Sequence, residues 1–210
     1  MTPAPRRIVL VSGAPATGKT TLAGPLAAAL GFPLLAKDHI KETLHDALDG
    51  GGEGENEGGD GHGGAPGDAL AGRVRVLGSA PADALAASRL LGSASMKLLW
   101  ALAARCPEAV LEANFHPDHP DTRTGLDALA ATVVEVHCHC PAEESVRRYR
   151  ERAPRLHPVH VFREIPPEVI ALSDRPIGYG PVIRVDTTRP TDLTALVAEI
   201  RRAFGGLGAP

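Results

Sequence analysis

The sequence predicts an α/β domain: a parallel sheet with helices covering both of its faces. Two observations carry this expectation. Short apolar segments rich in β-branched residues alternate along the chain with longer segments of helical spacing. Between the first such strand and the first such helix stands the pattern G-x-x-x-x-G-K-T, at Gly13 to Thr20. The full pattern in a strand–turn–helix setting, unlike a glycine-rich turn alone, reads as a phosphate-binding loop.

Arg7 to Val11 is short and apolar and reads as a buried strand. Gly13, Ala14, Pro15, Ala16, Thr17, Gly18, Lys19, Thr20 and Thr21 then form the loop and the entry to a helix. The glycines let successive N–H groups face a phosphate, and the helix N-terminus favours negative charge there. Lys19 would reach the terminal phosphates of ATP or GTP, and the Thr20 hydroxyl would ligate Mg²⁺. Thr20 to Leu30 is Ala- and Leu-rich and helical, and Gly31 stops it.

Phe32 to Ala36 reads as a second strand with Pro33 at its start, and Ile40 to Leu48 as a helix. Asp49 to Gly67 is glycine-rich and acidic with almost nothing apolar, so it is expected to be a flexible loop. It is either a neutral insertion or a mobile cover over a substrate site. Gly72 to Pro81 is ambiguous. Ala82 to Arg105 is strongly helical, with Gly92 a weak point. Glu108 to Phe115 is the third strand, His116 to Pro120 a turn, and Leu126 to Ala130 helical. Thr132 to Cys140 is the fourth strand. Pro141 to Arg152 is a helix opened by a proline and by acidic Glu143 and Glu144. Ala153 to Glu164 has no clear period, and Pro167 to Leu172 is one helical turn or two. Pro181 to Asp186 is the fifth strand, and Thr191 to Phe204 the last helix.

With 210 residues there is room for one α/β domain with a full core and not for two. Aromatic residues are only 3% of the chain, so Ala, Leu and Val must build that core. The formal net charge of -3 offers no overall field for nucleic acid or an anionic membrane. The three cysteines, Cys106, Cys138 and Cys140, are an odd number in a chain that is not small and disulfide-rich, which argues for a reducing compartment. Met1 to Arg7 is followed by too short an apolar run for a signal peptide, and no run approaches membrane-spanning length. A cytoplasmic location is expected.

In a parallel sheet with right-handed crossovers, ligands bind at the C-terminal ends of the strands. Asp38 follows the second strand. It could accept or orient the proton of an attacking hydroxyl, or it could cap the next helix. Lys37 and His39 read as solvated neighbours. Glu112 and Asn114 end the third strand. Glu112 is the candidate second Mg²⁺ ligand, or a carboxylate with a buried partner; Asn114 either meets phosphate or substrate or begins the turn. Arg148 and Arg152 share a helix face, with Arg155 beyond. At least one would stabilise a migrating phosphoryl group, unless the cluster is a solvated basic helix end. The alternation of Val136-His137-Cys138-His139-Cys140 puts thiols and imidazoles on opposite faces, which favours strand packing over a metal site. His157 and His160 lie in the aperiodic stretch, where substrate contact and exposure are the alternatives.

Gly13 to Thr20, Asp38, Leu111 to Phe115, Val136 to Cys138, Arg148 to Arg155 with His157-Pro158, and Val185 to Thr188 together resemble a family. The chain is similar to the small P-loop kinases of the AAA-33 and zeta-toxin-like type, whose architecture is also that of chloramphenicol phosphotransferase. The resemblance implies a P-loop NTPase of nucleoside-kinase-like fold. Its sheet would have five parallel strands in the order 2-3-1-4-5, with an Arg-bearing lid at about 153–165 and one domain over 1–210. It implies ATP or GTP with Mg²⁺ as donor and transfer of the γ-phosphate to a hydroxyl. Asp38 matches the acidic position that engages that hydroxyl, and the Arg148 to Arg155 cluster matches lid arginines. Asp186, Thr187, Thr188 and Arg189 match a segment that borders the nucleobase. Glu112 departs from the usual Asp.

The expectation is therefore a kinase with Lys19, Asp38, Arg148 and Arg152 as catalytic residues. Arg155, Thr187 and Thr188 would join the loop at the nucleotide, and Asn114 and His157 would join Asp38 at the acceptor. Thr20 and Glu112 would hold the metal. The acceptor expected is a small antibiotic or nucleoside-like natural product, as in self-resistance. The alternatives are a polynucleotide 5′-hydroxyl kinase, a sugar-nucleotide kinase of zeta-toxin type, and a nucleotide-dependent switch or partner-binding ATPase.

Overall fold

The computed structural model describes residues 6–49 and 81–206. The expected flexible loop from Asp49 to Gly67 and the ambiguous stretch from Gly72 lie outside the described residues, apart from Asp49 and Pro81. The elements run β1 (Arg6–Ser12), α1 (Lys19–Leu30), β2 (Leu34–Ala36), α2 (Lys37–Asp49), α3 (Pro81–Ala103), β3 (Glu108–Glu112), α4 (Pro120–Leu129), β4 (Ala131–His139) and α5 (Ala142–Arg152). A 3-10 turn (Ala153–Arg155) follows, then α6 (Pro167–Ser173), β5 (Val182–Asp186) and α7 (Leu193–Gly206).

The five strands form one sheet in the order β2-β3-β1-β4-β5, with all four pairings parallel. This is the expected order. Central β1 pairs through Val9 with Val110 on one side and Val134 on the other. Alternation along β1 sends Val9 and Val11 to one face, where they meet Leu22 and Leu26 of α1 and Ile200 and Phe204 of α7. Ile8 and Leu10 point to the other face, against Leu99 of α3 and Leu126 of α4. Both faces are therefore buried, which is why the strands read as continuous apolar runs. The few aromatics are divided between the faces, with Phe32 and Phe204 on the first and Trp100, Phe115 and Tyr179 on the second. Trp100 packs against Phe115 with ring centroids 5.6 Å apart, and a Cβ at Gly125 would overlap the Trp100 ring. All three cysteines are free thiols.

Differences from the sequence reading concentrate at element ends. β3 stops at Glu112 rather than Phe115, so Ala113 and Asn114 already belong to the connection. α4 starts at Pro120, with the His119 ring accepting from the Asp121 N–H. The largest difference bears on function. β2 passes into α2 without a connecting residue, so the helix begins at Lys37 rather than Ile40. Asp38 is the second residue of α2, in its first turn, not the residue before the helix.

Candidate active site

The loop between β1 and α1 owes its shape to three residues with positive φ: Gly13 at 132°, Ala16 at 61° and Gly18 at 85°. At Gly13 a side chain is also excluded by space, because a Cβ would overlap the Cys138 carbonyl oxygen. Neighbouring elements brace the curl. Thr17 Oγ1 donates to Ala14 O at 2.8 Å, and Ser145 of α5 donates through Oγ to Pro15 O at 2.6 Å. Ala14 and Ala16 pack with Ile165 and Ile170. The Lys19 ammonium folds back over the loop, donating to Gly13 O at 2.8 Å and Ala14 O at 2.7 Å. Burial pushes its pKa below the ordinary value, and Glu112 is foremost among the groups that oppose this.

Beneath the loop lies a polar network that the sequence reading did not foresee. Ser12 Oγ donates to Glu135 Oε1 at 2.5 Å and stands 2.9 Å from His137 Nδ1. The fully buried Glu135 also accepts the Ile177 and Gly178 N–H groups, each at 2.9 Å. Burial lowers the His137 pKa, which keeps the imidazole neutral and able to donate from Nδ1 to the Ser12 oxygen. His137 and Cys138 thus face opposite sides of β4, and burial pushes the Cys138 thiol up to about 12. A signal for the network was present: Glu135 stands inside the apolar run Val133 to Val136, where a carboxylate needs a partner.

Glu112 is 4% exposed, and its Oε1 lies 3.5 Å from Thr20 Oγ1. Burial raises its pKa while Lys19 acts against the rise. A buried carboxylate beside the loop hydroxyl is a donor set suited to Mg²⁺, so Thr20 and Glu112 fit the ion that a phosphate loop uses.

Loop, Glu112 and Asp38 all line one cavity of about 960 Å³. Thr187, Arg189 and Arg148 also line the cavity, as do Glu42, Asn114 and His160, and a Cβ at Gly18 would lie 3.3 Å from Thr187. Asp38 accepts from Lys37 Nζ at 3.0 Å, and its side chain is 58% exposed. Removal of part of its hydration by the cleft walls works to raise the carboxyl's pKa. Lys37, with His160 and Lys19, outweighs this and holds the group below the ordinary carboxylate range. Asn114 lines the cavity, and its Oδ1 is buried without a hydrogen-bond partner among the described residues.

The two arginines that share a face of α5 are separated by their partners. Arg148 donates to Glu144 Oε1 at 2.6 Å and to Thr187 O at 2.9 Å, so its guanidinium is committed to the Thr187 wall. Arg152 also lines the cavity, stacked 5.1 Å over the Tyr149 ring, and forms no ion pair among the described residues. Gly13, Ala14 and Thr17 shape the loop without lining the cavity, and three expected residues beyond the loop also stand outside the lining. Arg155 is exposed on the 3-10 turn. The Thr188 hydroxyl is turned to Asp186 Oδ1 at 2.7 Å. His157 Nε2 pairs with Asp46 Oδ1 at 2.8 Å. His160, three residues on, takes the place in the cavity expected of His157. Glu42 was not foreseen, although its i+4 spacing from Asp38 on a helix puts the two on one face.

Comparison with known proteins agrees with this geometry at the level of fold. No family model matches the chain, and no curated protein matches it. Solved structures do match. A candidate kinase from Chloroflexus aurantiacus J-10-fl superposes with a TM-score of 0.62 at 24% identity, over 96% of this chain and 97% of that one. Shikimate kinase from Acinetobacter baumannii, solved with shikimate, gives a TM-score of 0.53 at 18% identity, over 99% and 97%. The APS kinase of Mycobacterium tuberculosis, solved with AMPPNP and APS, gives 0.50 at 16% identity, over 97% and 99%. The chain has the fold of the P-loop kinases, with a nucleoside-kinase-like five-stranded sheet.

Proposed function

We propose that this protein is a phosphotransferase that moves the γ-phosphate of ATP or GTP to a hydroxyl group of a small molecule. One observation carries the reading: a single cavity joins the phosphate loop, with Lys19 and Thr20, to an ionised carboxylate at Asp38. The loop N–H groups and Lys19 bind the phosphates. Thr20 and Glu112 would hold Mg²⁺, whose contribution is to neutralise charge on the β- and γ-phosphates. Asp38 accepts a hydrogen bond from the acceptor hydroxyl and takes its proton as the oxygen attacks phosphorus. The bond to the β–γ bridging oxygen breaks, and the nucleoside diphosphate leaves. Arg152, free of carboxylates among the described residues, stabilises the charge on the migrating group. Arg148 shapes the base end of the site with Thr187.

The finer reading is a single cytoplasmic domain acting on an antibiotic or nucleoside-like natural product, with residues 153–165 as a lid. Among the described residues no helix is long and apolar enough to cross a membrane. The test is direct. Protein, ATP or GTP, Mg²⁺ and a panel of antibiotics, nucleosides and sugars are incubated, and mass spectrometry looks for an acceptor heavier by one phosphoryl group. Free phosphate as the sole product across the panel would overturn the reading in favour of a nucleotide-dependent switch.

A further inference from the structure

Beside Asp38 the cavity holds a second carboxylate that proton acceptance does not require. Asp38 and Glu42 stand one turn apart on α2, and both line the cavity. Lys37, the cation of the same turn, is engaged with Asp38 at 3.0 Å. Lys41, the next cation on α2, is buried and turned away. Its Nζ donates to Ser88 Oγ of α3 at 2.8 Å and to Val159 O at 3.4 Å. Ser88 Oγ donates to the same carbonyl at 2.7 Å. One carbonyl of the segment after the 3-10 turn is thus gripped from two helices, and Val159 itself is 3% exposed.

This grip sets the residues on either side. His160 enters the cavity lining with Nε2 2.8 Å from Glu42 Oε1. His157 stays outside, its Nδ1 accepting the Val159 N–H at 3.2 Å, which leaves Nε2 to donate to Asp46 at 2.8 Å. Residues 157–160 are fastened along α2 by two imidazole–carboxylate pairs with the Lys41–Ser88 grip between them.

We propose that Glu42 and His160 form an acceptor-recognition pair selecting neutral or cationic hydroxyl compounds over anionic ones, and that Lys41 is the positioning residue that places His160. The inference rests on the phosphotransferase reading of the same cavity and names its acceptor class. A hydroxyl donates to a carboxylate, and an ammonium does so with charge assistance. With Arg152 assigned to the migrating phosphoryl group and Lys37 engaged by Asp38, an acceptor carrying its own carboxylate or phosphate would meet the oxygens of Asp38 and Glu42 without a cation left for it on α2.

The experiment uses the full chain with an acceptor series in matched forms, namely a neutral sugar, its amino counterpart and its uronic acid, together with the antibiotics and nucleosides of the panel above. The wild type is expected to transfer phosphate to neutral and amino forms with a KM about tenfold or more below that of the acid. Glu42→Gln should raise the KM for the amino form about tenfold and shrink the discrimination, with kcat and the ATP KM little changed. His160→Asn should shift acceptor KM in the same direction. Lys41→Met should reproduce the His160→Asn effect, and the double variant should add nothing further. Should Lys41→Met not fold by thermal melting, Ser88→Ala carries that arm, with a smaller rise expected. A wild type that prefers the acid form, or an acceptor KM unchanged in Glu42→Gln, overturns the recognition pair while leaving the kinase reading intact. Acceptor KM unchanged in the folded positioning variants overturns the role of Lys41. A wild type that phosphorylates no member of the series overturns both readings together.

Discussion

The two ends of the cavity are built in opposite ways. The end we read as binding nucleotide comes from one contiguous stretch, Gly13 to Thr21, shaped mainly by backbone: positive φ angles and a helix start. The end we read as binding the acceptor is made of side chains from separate places: Asp38 and Glu42 on α2, Asn114 after β3, and His160 in the segment held against α2. Glu42 and His160 are 118 residues apart and meet at 2.8 Å. A backbone cradle tolerates much variation in side chains but cannot accept a Cβ where the chain is tightest. A side-chain constellation tolerates backbone adjustment, yet each member is individually replaceable and individually consequential.

Substitutions can break this contrast from either side. Gly13→Ala should have the largest effect, because its φ of 132° and the Cys138 carbonyl both exclude a side chain. It should abolish binding of an ATP analogue by calorimetry and lower stability by about 3 kcal/mol in urea denaturation. Asp38→Asn should leave that binding within about twofold of wild type and reduce transfer to the acceptor about 10³-fold. Equal turnover in wild type and variant would remove Asp38 from the chemistry. Arg152→Ala should lower kcat about 10²-fold with the nucleotide KM little changed, as expected for a group that acts on the migrating phosphoryl.

Lys41 gives a smaller effect, read as stability against pH. Burial first, and Lys37 second, hold its pKa at about 8 against the ordinary 10.5, with Asp38 and Glu42 opposing. The folded value is the lower one, so between those pH values the unfolded chain binds more protons and stability rises with pH. Below about pH 8 both states carry the proton and the slope vanishes. Urea titrations should show a slope of about 1 kcal/mol per pH unit in that window for the wild type, absent in Lys41→Met. The smallest effect belongs to Arg148→Ala. Its guanidinium is held by Glu144 and Thr187, so an increase of about tenfold in nucleotide KM with kcat retained is expected.

The sheet and the loop were legible because both depend on short-range pattern. Apolar runs such as Ile8 to Val11 carry their own burial, and a strand–turn–helix motif needs no distant partner to be recognised. Spacing alone could put Arg148 and Arg152 on one face of α5 but could not separate their roles. That separation comes from Glu144 and Thr187, which claim one guanidinium, and Tyr149, which stacks under the other. His157 and His160 pose the same problem in a segment without period. Which imidazole enters the cavity follows from where Lys41 and Ser88 grip Val159, and both lie more than 70 residues away, Ser88 by 71 and Lys41 by 118.

Local sequence was therefore enough for the parallel α/β architecture, the phosphate loop, Glu112 at the end of β3 and Asp38 soon after β2, because backbone geometry and hydrophobic period act over a few residues. Tertiary structure alone decided that Asp38 lies inside α2, that Glu42 and His160 share the cavity with it, and that Ser12, Glu135 and His137 brace the loop from below. These depend on side chains whose partners arrive from other elements: the i+4 spacing of Glu42 and the apolar setting of Glu135 were visible in the sequence, but the distant partners that give them a place were not.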